Sequence, residues 1–227
     1  MLALSNVTAK YGSLIALNDI SLEIPDGAKV GVFGHNGAGK TTLLRCIVGA
    51  LVPAGGTIDW NGEPVPRGNV PESVKKGIGF VPQGHNVFPN LSVEQNLKIA
   101  GLLFERGFID EIYRLFPVLK ERRSQRAGSM SGGEQQMLAL GMALMTHPKW
   151  LLLDEPSTGL APVIVRNVME RLASVNECFK TGLIVVEQNV PATLKLVDTA
   201  VIIKSGAIAF QGRSEELAAN PELWKWF

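Results

Sequence analysis

The stretch Val30-Gly31-Val32-Phe33-Gly34-His35-Asn36-Gly37-Ala38-Gly39-Lys40-Thr41-Thr42 constrains this chain more than any other. An apolar, β-branched run meets a loop with three glycines, then a lysine, two threonines and an apolar continuation. From Gly34 to Thr41 the residues fit G-x-x-x-x-G-K-[ST] without departure. Glycines let successive backbone N–H groups curl around phosphate oxygens. The helix that opens behind them adds partial positive charge. Lys40 can reach the β- and γ-phosphates, and the Thr41 hydroxyl can ligate Mg²⁺. The candidate phosphate-binding residues are therefore Gly34, His35, Asn36, Gly37, Ala38, Gly39, Lys40, Thr41 and Thr42. The bland alternative is a glycine-rich turn that happens to hold a lysine. A strand before and a helix after argue against it. Alone, the loop licenses a nucleotide-phosphate site and no more.

The rest of the chain supplies a setting for that loop. Val30–Phe33, Leu151–Leu153, Leu183–Val186 and Ala200–Ile203 are short apolar runs bounded by polar or glycine residues, the pattern of buried parallel strands. Helical stretches Thr41–Val48, Val163–Val175 and Pro191–Leu196 alternate with them, giving an α/β, doubly wound order. Leu2–Val7, Ile20–Ile24 and Thr57–Trp60 read instead as a mostly antiparallel N-terminal layer. Asn61-Gly62 and Ser205-Gly206 mark tight turns. From about Pro89 to Leu144 the pattern turns helical: Val93–Leu103 behind a Ser92 N-cap, Ile109–Leu119, and Glu134–Met145 behind Ser131. The expected organisation is one domain over residues 1–227. Residues 1–88 and 146–227 form the α/β core with its antiparallel layer, and 89–145 form an inserted helical subdomain.

Composition narrows the partners. The 22 Lys and Arg nearly balance the 21 Asp and Glu, leaving +1, which argues against nucleic-acid binding driven by bulk charge. Aromatics are 7%, too few for a single-strand stacking platform. Cys46 and Cys178 match no metal or disulfide spacing and suit a reducing compartment. Met1 to Asn6 lacks the basic-then-apolar pattern of a secretory signal, and no apolar run is long enough to span a bilayer. Any work at a membrane would need another subunit to hold the chain there.

The run Trp150-Leu151-Leu152-Leu153 ends in two acids, Asp154 and Glu155. A parallel α/β sheet gathers its ligand site at the carboxyl ends of its strands. Asp154 is placed to hold Mg²⁺. Glu155 points differently and could polarise an attacking water. An ordinary acidic turn is the bland reading, weakened by the phosphate loop.

Met130-Ser131-Gly132-Gly133-Glu134-Gln135-Gln136 resembles the signature motif of the ABC ATPases, usually Leu-Ser-Gly-Gly-Gln. Met and Glu are mild departures. The resemblance covers nearly the whole chain. It implies a P-loop NTPase (RecA-like) core, an N-terminal antiparallel β layer and an inserted helical subdomain. It also implies ATP and Mg²⁺ as cofactors, and a head-to-tail dimer. There Ser131, Gly132, Gly133 and Glu134 would close over ATP held by the partner's phosphate loop. Tyr11 falls where the family stacks an aromatic on adenine; the alternative is a core tyrosine. Gln83 matches the Q-loop glutamine, a metal and γ-phosphate sensor counted with Glu155 in catalysis. Pro156 to Pro162 occupies the D-loop place, with Ala161 where many members carry aspartate. Gln188 stands where the family usually has a histidine. It is a catalytic candidate, but an amide cannot become cationic. The three histidines, His35, His85 and His147, lie elsewhere.

Leu152 to Pro162 and Val185-Val186-Glu187-Gln188-Asn189 are similar to the ATP-binding subunits of branched-chain amino-acid (LIV-type) importers and their urea or amide relatives. That resemblance implies a second ATPase (in a homo- or heterodimer), membrane permeases and, indirectly, a solute-binding protein. It implies no nucleic acid, and a peripheral location on the cytoplasmic face of the plasma (inner) membrane. Two other readings stay open. One is a nucleotide-dependent switch with weak hydrolysis beside a more active partner, motivated by Gln188 and Ala161. The other is a soluble ABC ATPase of repair or translation, although the interval from Lys40 to Ser131 is too short for a long coiled coil. Arg122 to Arg126 reads as a solvated basic face, with a role near nucleotide or partner as the alternative, Cys46 as a buried small residue, and the apolar end Leu223–Phe227 as packing on its own domain or touching a partner or lipid headgroups.

Overall fold

The structure is a computed structural model that describes residues 1–84, 86–102, 108–220 and 222. Its centre is a six-stranded sheet in the order β10-β9-β3-β8-β7-β6. The strands are β3 (Lys29–Phe33), β6 (Ile78–Val81), β7 (Trp150–Asp154), β8 (Gly182–Val186), β9 (Thr199–Lys204) and β10 (Ala207–Arg213). All pairings are parallel except that of β10 with β9. Every residue of β7 and β8 is buried, which explains why these strands read as continuous apolar runs rather than as alternation.

Alternate residues of each strand serve different cores. Leu151, Leu153, Leu183 and Val185 face one side. They meet Val168, Leu172 and Val175 of α7 (Pro162–Phe179), and the helical segment. Trp150, Leu152, Ile184, Val186, Val30 and Val32 face the other. They meet Leu43, Leu44 and Ile47 of α1 (Lys40–Ile47), and the second sheet. That sheet is antiparallel, in the order β2-β1-β4-β5, from β1 (Leu2–Tyr11), β2 (Leu14–Ile24), β4 (Gly55–Trp60) and β5 (Glu63–Pro64). The two sheets thus enclose α1, and the phosphate loop is clamped between them. Each fully buried side chain of this kind contributes on the order of 2 kcal/mol.

One register position shows how tight the centre is. Trp150 pairs with Gly182 across β7 and β8. A Cβ on Gly182 would lie 2.4 Å from the Trp150 ring. A large side chain on β7 therefore dictates the smallest residue on β8.

The helical segment comprises α3 (Val93–Ala100), α4 (Ile109–Leu115), α5 (Pro117–Glu121), a 3-10 turn (Ala127–Ser129) and α6 (Gly132–Leu144). Ser92 caps α3 in a reciprocal box with Gln95, as its position before the apolar run suggests. Asn96 is fully buried; its amide accepts from Phe88 N–H at 2.7 Å and donates to the Ser92 and Phe88 carbonyls, tying the entry loop to the helix. The single helix expected over Ile109–Leu119 is broken. Phe116 adopts φ −126°, ψ 76°, because Pro117 disfavours helical geometry in the residue before it. Leu103, the expected end of the first helix, and Leu223–Phe227 lie outside the described residues.

Several elements go beyond the sequence expectation: β5, β6, β10, α2 (Val70–Lys75) and α9 (Ser214–Ala219). Two hairpins sit on the turns that were expected. Asn61 and Gly62 have φ 52° and 80°, and Ser205 and Gly206 have φ 49° and 80°, the double positive φ of a hairpin turn that matches strand twist. Among the described residues no helix is long and apolar enough to cross a membrane.

Candidate nucleotide-phosphate site

The loop leaves β3 at Phe33 and enters α1 at Lys40. Gly34 and Gly39 have φ 140° and 112°. A Cβ at Gly34 would lie 2.2 Å from the Ile203 carbonyl oxygen, and one at Gly39 2.6 Å from that of Ala16. Both backbones are pinned under neighbouring strands, so glycine is required twice over, by conformation and by space. No side chain caps α1. An uncapped helix start of this kind suits an anion as its cap.

Lys40 is only 5% exposed. Its Nζ folds back over the loop and donates to the Gly34 carbonyl at 2.7 Å and the His35 carbonyl at 3.0 Å. Burial draws its pKa below the usual lysine value, opposed by the carboxylates of Glu155 and Asp154. A cation held dehydrated beside a ring of backbone donors is what phosphate oxygens need. His35, Asn36 and Gly37 form the exposed rim, whereas Ala38, Gly39 and Thr42 are buried beneath it.

Asp154, at the end of β7, is 3% exposed and accepts from Thr41 Oγ1 at 3.1 Å. Burial raises its pKa, with the Thr41 hydrogen bond opposing. One carboxylate and one hydroxyl together form a hard oxygen set, which fits Mg²⁺ when substrate phosphates and water complete the shell. Among the described residues no cluster of three or more His, Cys, Asp or Glu could hold a metal by itself.

Glu155 sits in the left-handed region at φ 49° and is 9% exposed. Its Oε2 accepts from Gln83 Nε2 at 2.8 Å and Thr158 Oγ1 at 3.0 Å. Its Oε1 accepts from Gln188 Nε2 at 2.8 Å. The same Gln188 nitrogen lies 3.1 Å from Asn36 Oδ1. Residues following β6, β7 and β8 thus converge with the phosphate loop, as the carboxyl ends of parallel strands do. Gln83, expected to serve both metal and catalysis, spends its amide donor on Glu155.

The other expected residues lie apart. Ser131 caps α6 in a reciprocal box with Glu134, at 2.9 and 3.4 Å. Arg122 Nε pairs with Glu134 Oε1 at 2.8 Å. A Cβ on Gly133 would lie 2.5 Å from Ile164 Cγ2, so α6 and α7 approach closely there. Among the described residues the side-chain bonds of Ser131 and Glu134 stay within residues 122–134, and none reaches the phosphate loop. Tyr11 ends β1 at 42% exposure, which removes the core reading, and its hydroxyl accepts from Arg45 Nη1 at 3.4 Å. His147 stacks on Phe108, with centroids 3.6 Å apart; His85 lies outside the described residues. Cys46 is buried, and burial pushes its thiol up to about 11.

Sequence reasoning missed Thr158 and Glu187. Thr158 gave no signal beyond lying three residues after Glu155. Glu187 gave one: a carboxylate placed directly at the end of an entirely apolar strand.

Fold and site together define a phosphate-binding α/β core whose carboxylates and amides converge on one loop. The ABC transporter family model matches residues 17–158, more than half of the chain. The chain is 43% identical to the high-affinity branched-chain amino acid transport ATP-binding protein BraG of Pseudomonas aeruginosa, covering 98% of this chain and 97% of that one. It is 35% identical to the probable branched-chain amino acid transport ATP-binding protein LivF of Archaeoglobus fulgidus, covering 99% and 97%. Among solved structures it resembles cbiO1 of Clostridium perfringens, part of an ABC transporter complex, with TM-score 0.88, 24% identity and 99% and 92% coverage. This chain belongs to the ABC transporter family, as an ATPase subunit.

Proposed function

We propose that this chain binds ATP with Mg²⁺ between Gly34 and Thr42 and hydrolyses it to drive import of branched-chain amino acids or a related amide or urea compound. The observation that carries the chemistry is Glu155, held 2.8 Å from both Gln83 and Gln188 beside the phosphate loop. The near-complete coverage of BraG supports the solute class. Lys40 and the loop N–H groups hold the phosphates, while Thr41 and Asp154 hold Mg²⁺. Glu155 receives the proton of the attacking water, Gln83 and Gln188 orient it, and Tyr11 stacks on adenine. Ser131, Gly132, Gly133 and Glu134 complete the site of a second cassette, and membrane permeases anchor the pair at the cytoplasmic face of the inner membrane. Residues 89–145 form the helical subdomain that faces them. Short helices there, in place of a long coiled coil, disfavour a repair ATPase.

The second reading, a switch with weak hydrolysis, draws on Gln188. Its amide occupies Glu155 and cannot become cationic.

Proteoliposomes carrying this cassette, the second cassette and permeases encoded with it, and ATP inside test the proposal. With the cognate binding protein outside, labelled leucine, isoleucine or valine is expected to accumulate, and to stop doing so with Glu155→Gln. Hydrolysis with no uptake of branched-chain, amide or urea solutes would sink the import assignment. Robust hydrolysis by the unmodified chain alone would dismiss the switch.

A further inference from the structure

Glu187 is 1% exposed, and among the described residues no lysine or arginine is paired with it. A buried carboxylate needs either a cation or several donors. Its recorded donors are all backbone N–H groups. Ser157 N–H donates to Oε1 at 2.7 Å. Gln188 N–H and Asn189 N–H donate to Oε2 at 3.0 and 3.3 Å.

The division between the two oxygens is informative. Oε1 grips the turn after β7, which carries Glu155 and Thr158. Oε2 grips the turn after β8, which carries Gln188 and leads into α8 (Val190–Leu194) through its cap, Asn189. The Glu155 and Gln188 side chains meet at 2.8 Å. Beyond the β7–β8 ladder and the Glu155 N–H bond to the Val186 carbonyl at 2.9 Å, the two turns are joined by side chains in two places, at the surface of the cleft and beneath it, by Glu187.

We infer that Glu187 is a positioning residue for ATP turnover: it fastens the Ser157 turn to the Gln188 turn and so holds the Gln188 amide on Glu155. Its role passes through Gln188, because its own oxygens are occupied by the backbone N–H groups of the two turns. An ionised carboxylate can accept at both oxygens, whereas the isosteric amide turns a donor toward an N–H at one of them. Glu187→Gln therefore releases one turn while almost conserving volume. Lys40 and Thr41 keep their bonds, since none joins Glu187 to either among the described residues, and the side-chain tie toward the loop runs only through Gln188 to Asn36 Oδ1.

The inference rests on the proposed turnover, so hydrolysis by the unmodified cassette, in its reconstituted complex, is measured first. Its absence would count against the proposed function itself. In an active complex, Glu187→Gln is expected to lower kcat about tenfold by misplacing the amide. KM for ATP and the affinity for a fluorescent ATP analogue should stay within about twofold. In a Gln188→Ala background the same change should cost less than about twofold, because the group it positions is gone. Equal losses in both backgrounds, an unchanged kcat, or a parallel loss of ATP affinity would overturn the inference. If Glu187→Gln does not fold, the cycle is run with Glu187→Asp, which keeps both acceptors one methylene short. Non-additivity is again expected, and simple additivity again overturns it.

Discussion

Glu155→Gln is expected to lower ATP turnover by about 10²–10⁴-fold while leaving ATP affinity nearly unchanged. On the proposed assignment of Asp154 to Mg²⁺, the Glu155 carboxylate is left to accept a proton beside the phosphate loop. Gln83, Thr158 and Gln188 all donate to it, at 2.8, 3.0 and 2.8 Å, and fix both oxygens. The amide keeps the shape and loses the basicity. It also turns one donor toward donors, so the network must reorganise at that oxygen. Lys40 keeps its bonds to the Gly34 and His35 carbonyls through this change. Single-turnover hydrolysis and equilibrium binding, measured on the same preparation, separate the two effects. Turnover within about threefold of the unmodified protein would remove Glu155 from its role.

Lys40→Ala acts on the other half of the site. It is expected to weaken ATP binding by about 100-fold or more, the value of one or two charge-assisted hydrogen bonds at about 1.5–3 kcal/mol each. Two consequences add. The phosphates lose a buried cation, and the loop loses the two bonds that fold Lys40 over the Gly34 and His35 carbonyls. The fold itself should survive, because Lys40 belongs to no salt bridge among the described residues and its charge is desolvated. Titration calorimetry with ATP and Mg²⁺, beside a thermal melt, reads both. Unchanged affinity in a folded variant would place the phosphates elsewhere.

The sequence carried the phosphate loop and the two acids because each is a local pattern. Three glycines, a lysine and a threonine at fixed spacing need no knowledge of the rest of the chain. An apolar run that stops at Asp154-Glu155 marks a strand end by itself. The parallel strands were legible because burial on both faces leaves no alternation to misread. β6 and β10 were not. β6 has four residues and includes Gly79, and β10 is only partly buried. The break at Phe116 was written in Pro117, but the apolar period across it masked the signal. Contacts between distant strand ends were invisible. Gln188 and Asn36 are 152 residues apart, and only the sheet order brings them within 3.1 Å. At Gln188 the sequence registered an unusual residue, and the structure adds its occupation, shared between Asn36 and Glu155. The Glu187 carboxylate stood out only as an acid at the end of an apolar strand, and its partners could not be read because they are backbone groups with no side-chain signature.

On the proposed function this chain carries two halves of different sites: a phosphate loop with its carboxylates, and a Ser131–Glu134 cap whose side-chain bonds do not reach that loop. Specific ATPase activity at saturating Mg²⁺–ATP, followed as chain concentration rises, tests it most directly. The series is run alone and against the second cassette. A site completed by another cassette predicts specific activity that climbs with concentration in at least one series and then saturates. Specific activity that stays flat in both would mean that one chain hydrolyses ATP unaided, and would contradict the account.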